Sequence, residues 1–218
     1  SHVHLDAVQM ITTLDPVLRV LPACPRLRKV LIMTKCASAA AMQNLLQLRP
    51  ATDLCLILEM EQWLAVAEEI RRGRCNVQRL TLAMLQTTRS ETTEAFKAVA
   101  GAIRLDRNLK YLMLQMENGF TDEAGLVLAE ALTVNKTLYK IKLTAEPVFG
   151  DEALPNTDEL GIPAYEAFSA MMRGNTSLKL KFPSFESAGA DDRLLDSHTQ
   201  MRIEQILNDV GRGGLLTS

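Results

Sequence analysis

A short apolar segment of the form L-x-x-L-x-L recurs along the chain. The fourth positions of its five full copies are residues 30, 54, 80, 112 and 141, and a shortened copy over 178–182 ends the series. Apolar and polar positions alternate within each copy, which is the pattern of a strand with one buried face. The sequence therefore predicts six short strands, separated by roughly 24 to 39 residues.

Between these segments the apolar positions recur with a period of about 3.6, which predicts amphipathic helices. We expect helices over 37–48, 63–70, 91–105, 122–134 and 162–173, with further helices over 5–20 and 199–210. In the 122–134 helix, the residues expected to share the buried face are Leu126, Leu128, Ala129 and Leu132.

Each unit of strand, loop and helix is too small to bury its own apolar face. Parallel stacking of successive units would bury the strand leucines against the inward faces of the helices. We therefore predict an α/β fold, a curved solenoid with parallel strands on its concave face and helices on its convex face. The chain, 1–218, is predicted to be one domain with about six irregular repeats over 20–185, a loop insert over 145–163 and a C-terminal helix or cap over 186–218.

One repeat carries a family motif. The stretch D-E-A-G-L-V-L-A-E-A-L over 122–132, followed by N-K-T-L over 135–138, resembles the ribonuclease-inhibitor-like subtype of the leucine-rich-repeat family. In that family a D-E-G-type turn opens the helix and N-x-T/S-L leads into the next strand, and Asn175-Thr176-Ser177-Leu178 is similar to this lead-in. The resemblance covers about residues 20–185 and implies a leucine-rich-repeat (LRR) solenoid. The stretch over 201–212 resembles a recurrent ending of such arrays.

The concave face is the candidate surface for binding another protein, since the non-leucine positions of the strands point away from the core. The candidate contacts are Lys29, Leu31, Met33, Cys55, Ile57, Arg79, Tyr111, Met113, Gln115, Lys140, Lys142, Lys179 and Lys181. Tyr111 and Met113 are the expected anchors, because exposed aromatic and Met side chains suit burial against a partner. A shifted strand register, or coverage by a further N-terminal segment, would also explain apolar residues at these positions.

Four of the candidate residues form a basic strip. Lys140, Lys142, Lys179 and Lys181 fall on two strands that stacking would place about 5 Å apart. Ammonium groups this close repel each other unless carboxylates neutralise them. Two interpretations remain open: an acidic ligand binds the strip, or acidic residues of the 145–163 insert neutralise it within the chain.

Composition narrows the classes of partner. The chain carries 24 Lys and Arg against 26 Asp and Glu, a formal charge of −2, which does not favour nucleic acid as a partner. No apolar run approaches the ~18 residues of a membrane span. The cysteines, Cys24, Cys36, Cys55 and Cys75, form no Cys-x-x-Cys pair, which favours reduced, buried thiols and a cytoplasmic protein. We interpret the sequons at Asn135 and Asn175 as parts of the repeat rather than as glycosylation sites.

The sequence contains no phosphate loop, dinucleotide fingerprint, nucleophile elbow or His-Glu-x-x-His motif. The only histidines are His2, His4 and His198, and the first two are expected in a loose tail. We therefore expect no enzymatic activity, no cofactor and no metal site, and a scaffold for protein–protein interaction. The alternatives are the ligand-sensing region of a larger NOD-like receptor, a tropomodulin-like domain, a GTPase-regulator-like accessory domain and a purely intramolecular structural module.

Overall fold

Strands and helices alternate along the chain in the computed structural model, which describes residues 2–5, 28–33, 39–84, 88–116, 119–144 and 160–181. The described strands are β1 (His2–Leu5), β2 (Lys29–Met33), β3 (Asp53–Leu58), β4 (Arg79–Met84), β5 (Tyr111–Met116), β6 (Lys140–Thr144) and β7 (Lys179–Lys181). The described helices are α1 (Ala39–Leu46), α2 (Met60–Arg71), α3 (Arg89–Leu105), α4 (Asp122–Val134) and α5 (Ile162–Gly174). Strands β2–β7 and helices α1–α5 confirm the corresponding predicted elements, with boundaries moved by a few residues.

The strands that the structure describes form a single parallel sheet in the order β1-β2-β3-β4-β5-β6-β7. The register aligns equivalent positions of the repeated segment, since Leu80 pairs with Leu54 on one side and with Leu112 on the other. Connections between neighbouring parallel strands are right-handed as a rule. An uninterrupted strand order therefore places the connecting helices on one face of the sheet. The predicted parallel α/β arrangement is confirmed.

The core lies between the sheet and the row of helices. Alternate strand residues point into it, so that Leu80 and Leu114 are fully buried. The helices contribute larger side chains, among which Trp63 and Phe96 are also fully buried. The indole N–H of Trp63 donates a hydrogen bond to the carbonyl of Ala95 at 3.1 Å, which ties α2 to α3.

The start of α3 shows how polar residues position a helix. Thr88 is its N-cap and accepts a hydrogen bond from the backbone N–H of Glu91 at 3.2 Å. The carboxylate of Glu91 accepts in return from the backbone N–H of Thr88 at 2.8 Å. This reciprocal capping box satisfies two N–H groups that a helix end leaves without intrahelical partners. Thr121 caps α4 by accepting from the backbone N–H of Ala124 at 3.1 Å.

Buried asparagines connect the ends of α4 and α5 to the strands that follow. Asn135 is 1% exposed, and its Oδ1 accepts from the backbone N–H of Leu138 at 2.8 Å while its Nδ2 donates to the carbonyl of Ile103 at 2.7 Å. Asn175, 2% exposed, donates to the carbonyls of Leu132 and Asn135 at 2.7 and 2.8 Å. Each asparagine thus links its repeat to the preceding one, which confirms the structural interpretation of both sequons.

The inward face of α4 differs from the prediction at one position. Leu128, Ala129 and Leu132 are buried, whereas Leu126 is 42% exposed. Residues two positions apart on an α-helix lie about 200° apart around its axis, so Leu126 and Leu128 cannot both face the sheet. The expected burial of Leu126 is wrong.

The first described segment also differs from the prediction. His2–Leu5 forms β1 and pairs in parallel with β2 along its whole length, so the expectation of a loose tail at His2 and His4 is wrong. Backbone pairing with the edge of β2 gives these four residues their regular conformation. The rest of the predicted helix over 5–20, the insert residues 145–159 and the predicted cap over 186–218 lie outside the described residues. None of the described helices is long and apolar enough to cross a membrane.

Candidate partner-binding face

The face of the sheet turned away from the helices, which we call the open face, carries the side chains that alternate with the core leucines. It corresponds to the surface expected to be concave. Its first row consists of Lys29, Asp53, Arg79, Tyr111, Lys140 and Lys179, which pair successively across β2–β7. Its second row consists of Leu31, Cys55, Thr81, Met113, Lys142 and Lys181. The register is the predicted one, so a shifted register does not explain the apolar residues on this face.

Most of the predicted contact residues are accessible on the open face. Lys29, Arg79 and Lys179 are exposed. The half-buried residues are Leu31, Cys55, Tyr111, Met113, Gln115, Lys140 and Lys142. Met33 and Lys181 occupy the expected register positions opposite Ile57 and Lys142, and their side chains lie outside the described part of the structure.

A third row, at the carboxyl ends of the strands, contradicts one predicted contact. Ile57 is 7% exposed, and Ala83 and Thr144 of the same row are 2% and 0% exposed. Packing at this end of the sheet removes these three residues from solvent, although strand alternation alone places them on the open face. Gln115 of the same row stays half-buried. The prediction that Ile57 is available to a partner is therefore wrong.

A chain of charged and aromatic side chains crosses the first row. The Nε of Arg79 lies 2.7 Å from Oδ1 of Asp53. On its other side, Cζ of Arg79 lies 5.2 Å from the centroid of the Tyr111 ring, and Nζ of Lys140 lies 5.5 Å from the same centroid. Cations at these distances are attracted by the negative face of an aromatic ring. Tyr111 is thus flanked by two basic side chains from the strands on either side.

The polar end of Tyr111 is also held in place. Its hydroxyl donates to Sδ of Met113 at 3.8 Å, along the same strand. Burial raises the pKa of the Tyr111 hydroxyl, which therefore stays protonated at neutral pH. The ring and the thioether together form an apolar surface with a fixed orientation in the middle of the open face.

A hollow of about 170 Å³ lies next to this surface. It is lined by Lys29, Asp53, Leu54, Cys55, Arg79, Thr81 and Tyr111. Pockets for small molecules usually measure about 300–1,000 Å³, so this hollow suits a single side chain of a protein partner better than a cofactor.

The described thiols are poor nucleophiles. Burial raises the pKa of the half-buried Cys55 thiol, and the nearby charge of Lys29 only partly opposes that effect. Burial also raises the pKa of Cys75 to about 12. Both thiols are free and stay protonated at neutral pH. Cys75 behaves as predicted, as a small buried hydrophobe, whereas Cys24 and Cys36 lie outside the described residues.

The basic strip is assembled as the sequence predicts. Lys140 pairs in register with Lys179, and Lys142 pairs with Lys181, so the four residues lie two by two on β6 and β7. Met113 of β5 is the other register neighbour of Lys142. On the described strands β5–β7, no Asp or Glu occupies an open-face position.

Three residues that line the hollow, Asp53, Leu54 and Thr81, were not among the predicted contacts. Asp53 forms the ion pair with Arg79. The signal was present in the sequence, since opposite charges stand at the same repeat position of neighbouring strands. Among the residues that the structure describes, no three or more His, Cys, Asp or Glu side chains are grouped as metal ligands would be.

No protein-family model and no curated protein matches the chain. The chain is similar to a number of solved structures, among them the following two. One is actin-binding site 2 of leiomodin-1, with 14% identity over 93% of this chain and 96% of the other, at a TM-score of 0.42. The second is the tropomodulin C-terminal domain of Caenorhabditis elegans, with 16% identity over 90% of this chain and 98% of the other, at a TM-score of 0.42. At TM-scores below 0.5, these similarities transfer neither a site nor a partner to this chain.

Proposed function

We propose that this chain is a non-enzymatic leucine-rich-repeat solenoid of the ribonuclease-inhibitor-like subtype, which binds another protein through its open face. The strand–helix units stacked in sequence order support the solenoid. The buried Asn135 and Asn175, each bonded to the preceding repeat, support the subtype on which the sequence motif was recognised. The described Cys55 and Cys75 are free thiols and form no disulfide, which supports a reducing compartment such as the cytoplasm.

One observation carries the proposal: Tyr111 and Met113 form an accessible apolar surface, and charged side chains surround it. Aromatic anchors with few rotatable bonds, surrounded by polar groups, are typical of the residues that dominate binding energy at protein interfaces. The cations of Arg79 and Lys140 hold the Tyr111 ring before a partner arrives. Preorganised side chains lose less conformational entropy on binding, which favours affinity.

The test compares two double variants in affinity capture from lysate of the source organism, quantified by mass spectrometry. Tyr111→Ala with Met113→Ala is expected to weaken capture of the specific partner at least tenfold, because anchors of this kind contribute about 2 kcal/mol or more each. The control is Leu64→Ala with Leu126→Ala, which removes apolar side chains that are 41% and 42% exposed on the helix side. The control should retain capture.

Two outcomes would contradict the proposal. One is capture that survives the Tyr111 and Met113 substitutions. The other is equal loss in the control variant, which would place the binding surface on the helices. Actin pelleting and GTP-hydrolysis assays with the same variants test the tropomodulin-like and GTPase-regulator-like alternatives directly.

A further inference from the structure

Small side chains form the floor of the hollow on β3 and β4. Across β2–β5 the second row of the open face reads Leu31, Cys55, Thr81 and Met113, so two short residues lie between two long ones. Cys55 and Thr81 both line the hollow, and both are half-buried. The hollow therefore follows from residue size at one repeat position, and it is reached from the open face.

The rim of the hollow carries charged side chains of the first row. Lys29, Asp53 and Arg79 are neighbours in the register of β2, β3 and β4, and all three line the hollow. Nε of Arg79 lies 2.7 Å from Oδ1 of Asp53, so these two charges pair with each other. Among the ion pairs of the described residues, none involves Lys29. Its charge acts on the hollow, because it opposes the effect of burial on the pKa of the Cys55 thiol.

The balance of these charges favours one kind of occupant. Lys29 and Arg79 each carry +1 and Asp53 carries −1, so the lining has a net charge of +1. One further carboxylate would make the group neutral, whereas an amide would leave the excess charge and an ammonium group would increase it. The volume of about 170 Å³ limits the occupant to a single side chain.

We propose that the hollow receives one Asp or Glu side chain of the protein partner, whose carboxylate is held by Lys29 and Arg79. Tyr111 lines the hollow and also belongs to the apolar surface with Met113, so the carboxylate and the apolar contacts of the partner are adjacent. This inference rests on the proposed function and assigns the chemical class of one partner residue.

The free thiol of Cys55 reports which group the hollow prefers, since Cys55 is part of its lining. Three small thiols of similar length are used: 3-mercaptopropionate, 3-mercaptopropionamide and cysteamine. The disulfide of each is equilibrated with the whole chain in excess 2-mercaptoethanol, and the mixed disulfide at Cys55 is quantified by mass spectrometry after proteolysis. The measured quantity is the ratio of carboxylate adduct to amide adduct, in which the reactivity of Cys55 itself cancels.

Variants of the rim should change this ratio in opposite directions. Lys29→Gln is expected to lower it about twofold to fivefold, as for the loss of one exposed charge pair. Asp53→Asn should raise it, because the variant lacks the carboxylate that repels the fragment. The matched control is Lys140→Gln, which removes the same charge from the far side of Tyr111 and should change the ratio much less. The corresponding ratio of ammonium adduct to amide adduct should rise in Lys29→Gln.

Capture of the partner connects the hollow to binding. Lys29→Gln is expected to weaken capture about twofold to fivefold. Lys97→Gln makes the same change in net charge on α3, where Lys97 pairs with Glu94 and Glu123, and should leave capture unchanged.

Four results would overturn the inference: a ratio that Lys29→Gln does not lower, an equal fall in Lys140→Gln, no adduct at Cys55 with any of the three thiols, or capture that Lys29→Gln does not weaken. If capture still depends on Tyr111 and Met113 in these cases, the carboxylate inference falls and the proposed function stands. If capture is independent of the whole open face, the proposed function itself falls.

Discussion

Asp106 occupies the position at the end of α3 that Asn135 and Asn175 occupy after α4 and α5. Its Oδ2 accepts hydrogen bonds from the backbone N–H groups of Asn108 and Leu109 at 3.0 and 2.7 Å. Its Oδ1 is buried and has no hydrogen-bond partner among the described residues. Burial raises the pKa of the Asp106 carboxyl, and the backbone hydrogen bonds only partly oppose this effect. The Asp106 carboxylate accepts backbone hydrogen bonds as Oδ1 of Asn135 does. Unlike the amide groups of Asn135 and Asn175, it cannot donate a hydrogen bond to the preceding repeat.

Asp106→Asn is expected to stabilise the fold by about 1 kcal/mol at pH 7, because it removes a buried charge and keeps the oxygen that accepts from the backbone. The raised pKa means that the native state binds more protons than the unfolded state. The contribution of Asp106 to the free energy of unfolding is therefore greatest below the ordinary carboxyl pKa, and it is lost as the pH rises through the pKa of the folded state. Urea unfolding of both proteins at pH 4 and pH 7 should show a larger difference at pH 7. An equal difference between the two proteins at pH 4 and pH 7 would contradict a raised pKa for Asp106.

The reciprocal change, Asn135→Asp, should destabilise the fold by about 1–3 kcal/mol, because it replaces the donor to the Ile103 carbonyl with a carboxylate oxygen. Urea unfolding at pH 7 measures the effect. A neutral result would mean that the inter-repeat hydrogen bonds contribute little to stability.

The contact of α4 with α5 depends on a glycine. A Cβ atom built on Gly125 would lie 2.7 Å from Cβ of Ala164 and 3.1 Å from a methyl carbon of Leu160. Because Ala164 has no flexible side chain to move away, only a shift of one helix could make room. Gly101, within α3, has no neighbouring atom within 4 Å of the same hypothetical Cβ. Substitution of the two glycines with Ala therefore distinguishes the effect of helix packing on stability from the effect of helix propensity.

Gly125→Ala is expected to destabilise the protein by about 1–3 kcal/mol through overpacking, even though Ala favours a helix. Gly101→Ala should stabilise it by about 0.5–1 kcal/mol, since it gains only the helix propensity. Chemical denaturation of both variants measures the two free energies. Stabilisation by both would show that α4 and α5 are less closely packed than the contact between Gly125 and Ala164 indicates.

At the scale of the whole molecule, the repeating leucines predicted the strand register, because a one-residue shift would turn every buried side chain out of the core. They did not predict the burial of Ile57, which depends on packing beyond the strand itself. Nor did they predict the arrangement around Tyr111, since side-chain conformations on three strands must combine to place Arg79 and Lys140 beside its ring. Strand β1 was missed because four residues carry too little pattern, and their regularity comes from pairing with β2.

The sequential order of the repeats also predicts how damage spreads through the molecule. Successive helices from α1 to α5 pack against one another, and each described strand pairs with its neighbours in sequence. The free energy of unfolding of such an array is close to the sum of the stabilities of the individual repeats and of the interfaces between neighbouring repeats. Loss of packing in one repeat should therefore destabilise the adjacent repeats more than the distant ones.

Leu128→Ala tests this locality, since Leu128 is fully buried at the centre of α4. Truncation of a buried leucine costs about 2–5 kcal/mol. Hydrogen–deuterium exchange should lose protection in α4 and in the neighbouring elements α3, α5, β5 and β6, whereas α1 and β3 should keep most of theirs. Equal loss of protection in α1 and β3 would show instead that the sheet unfolds as a single cooperative unit, and nearest-neighbour stacking would not describe this molecule.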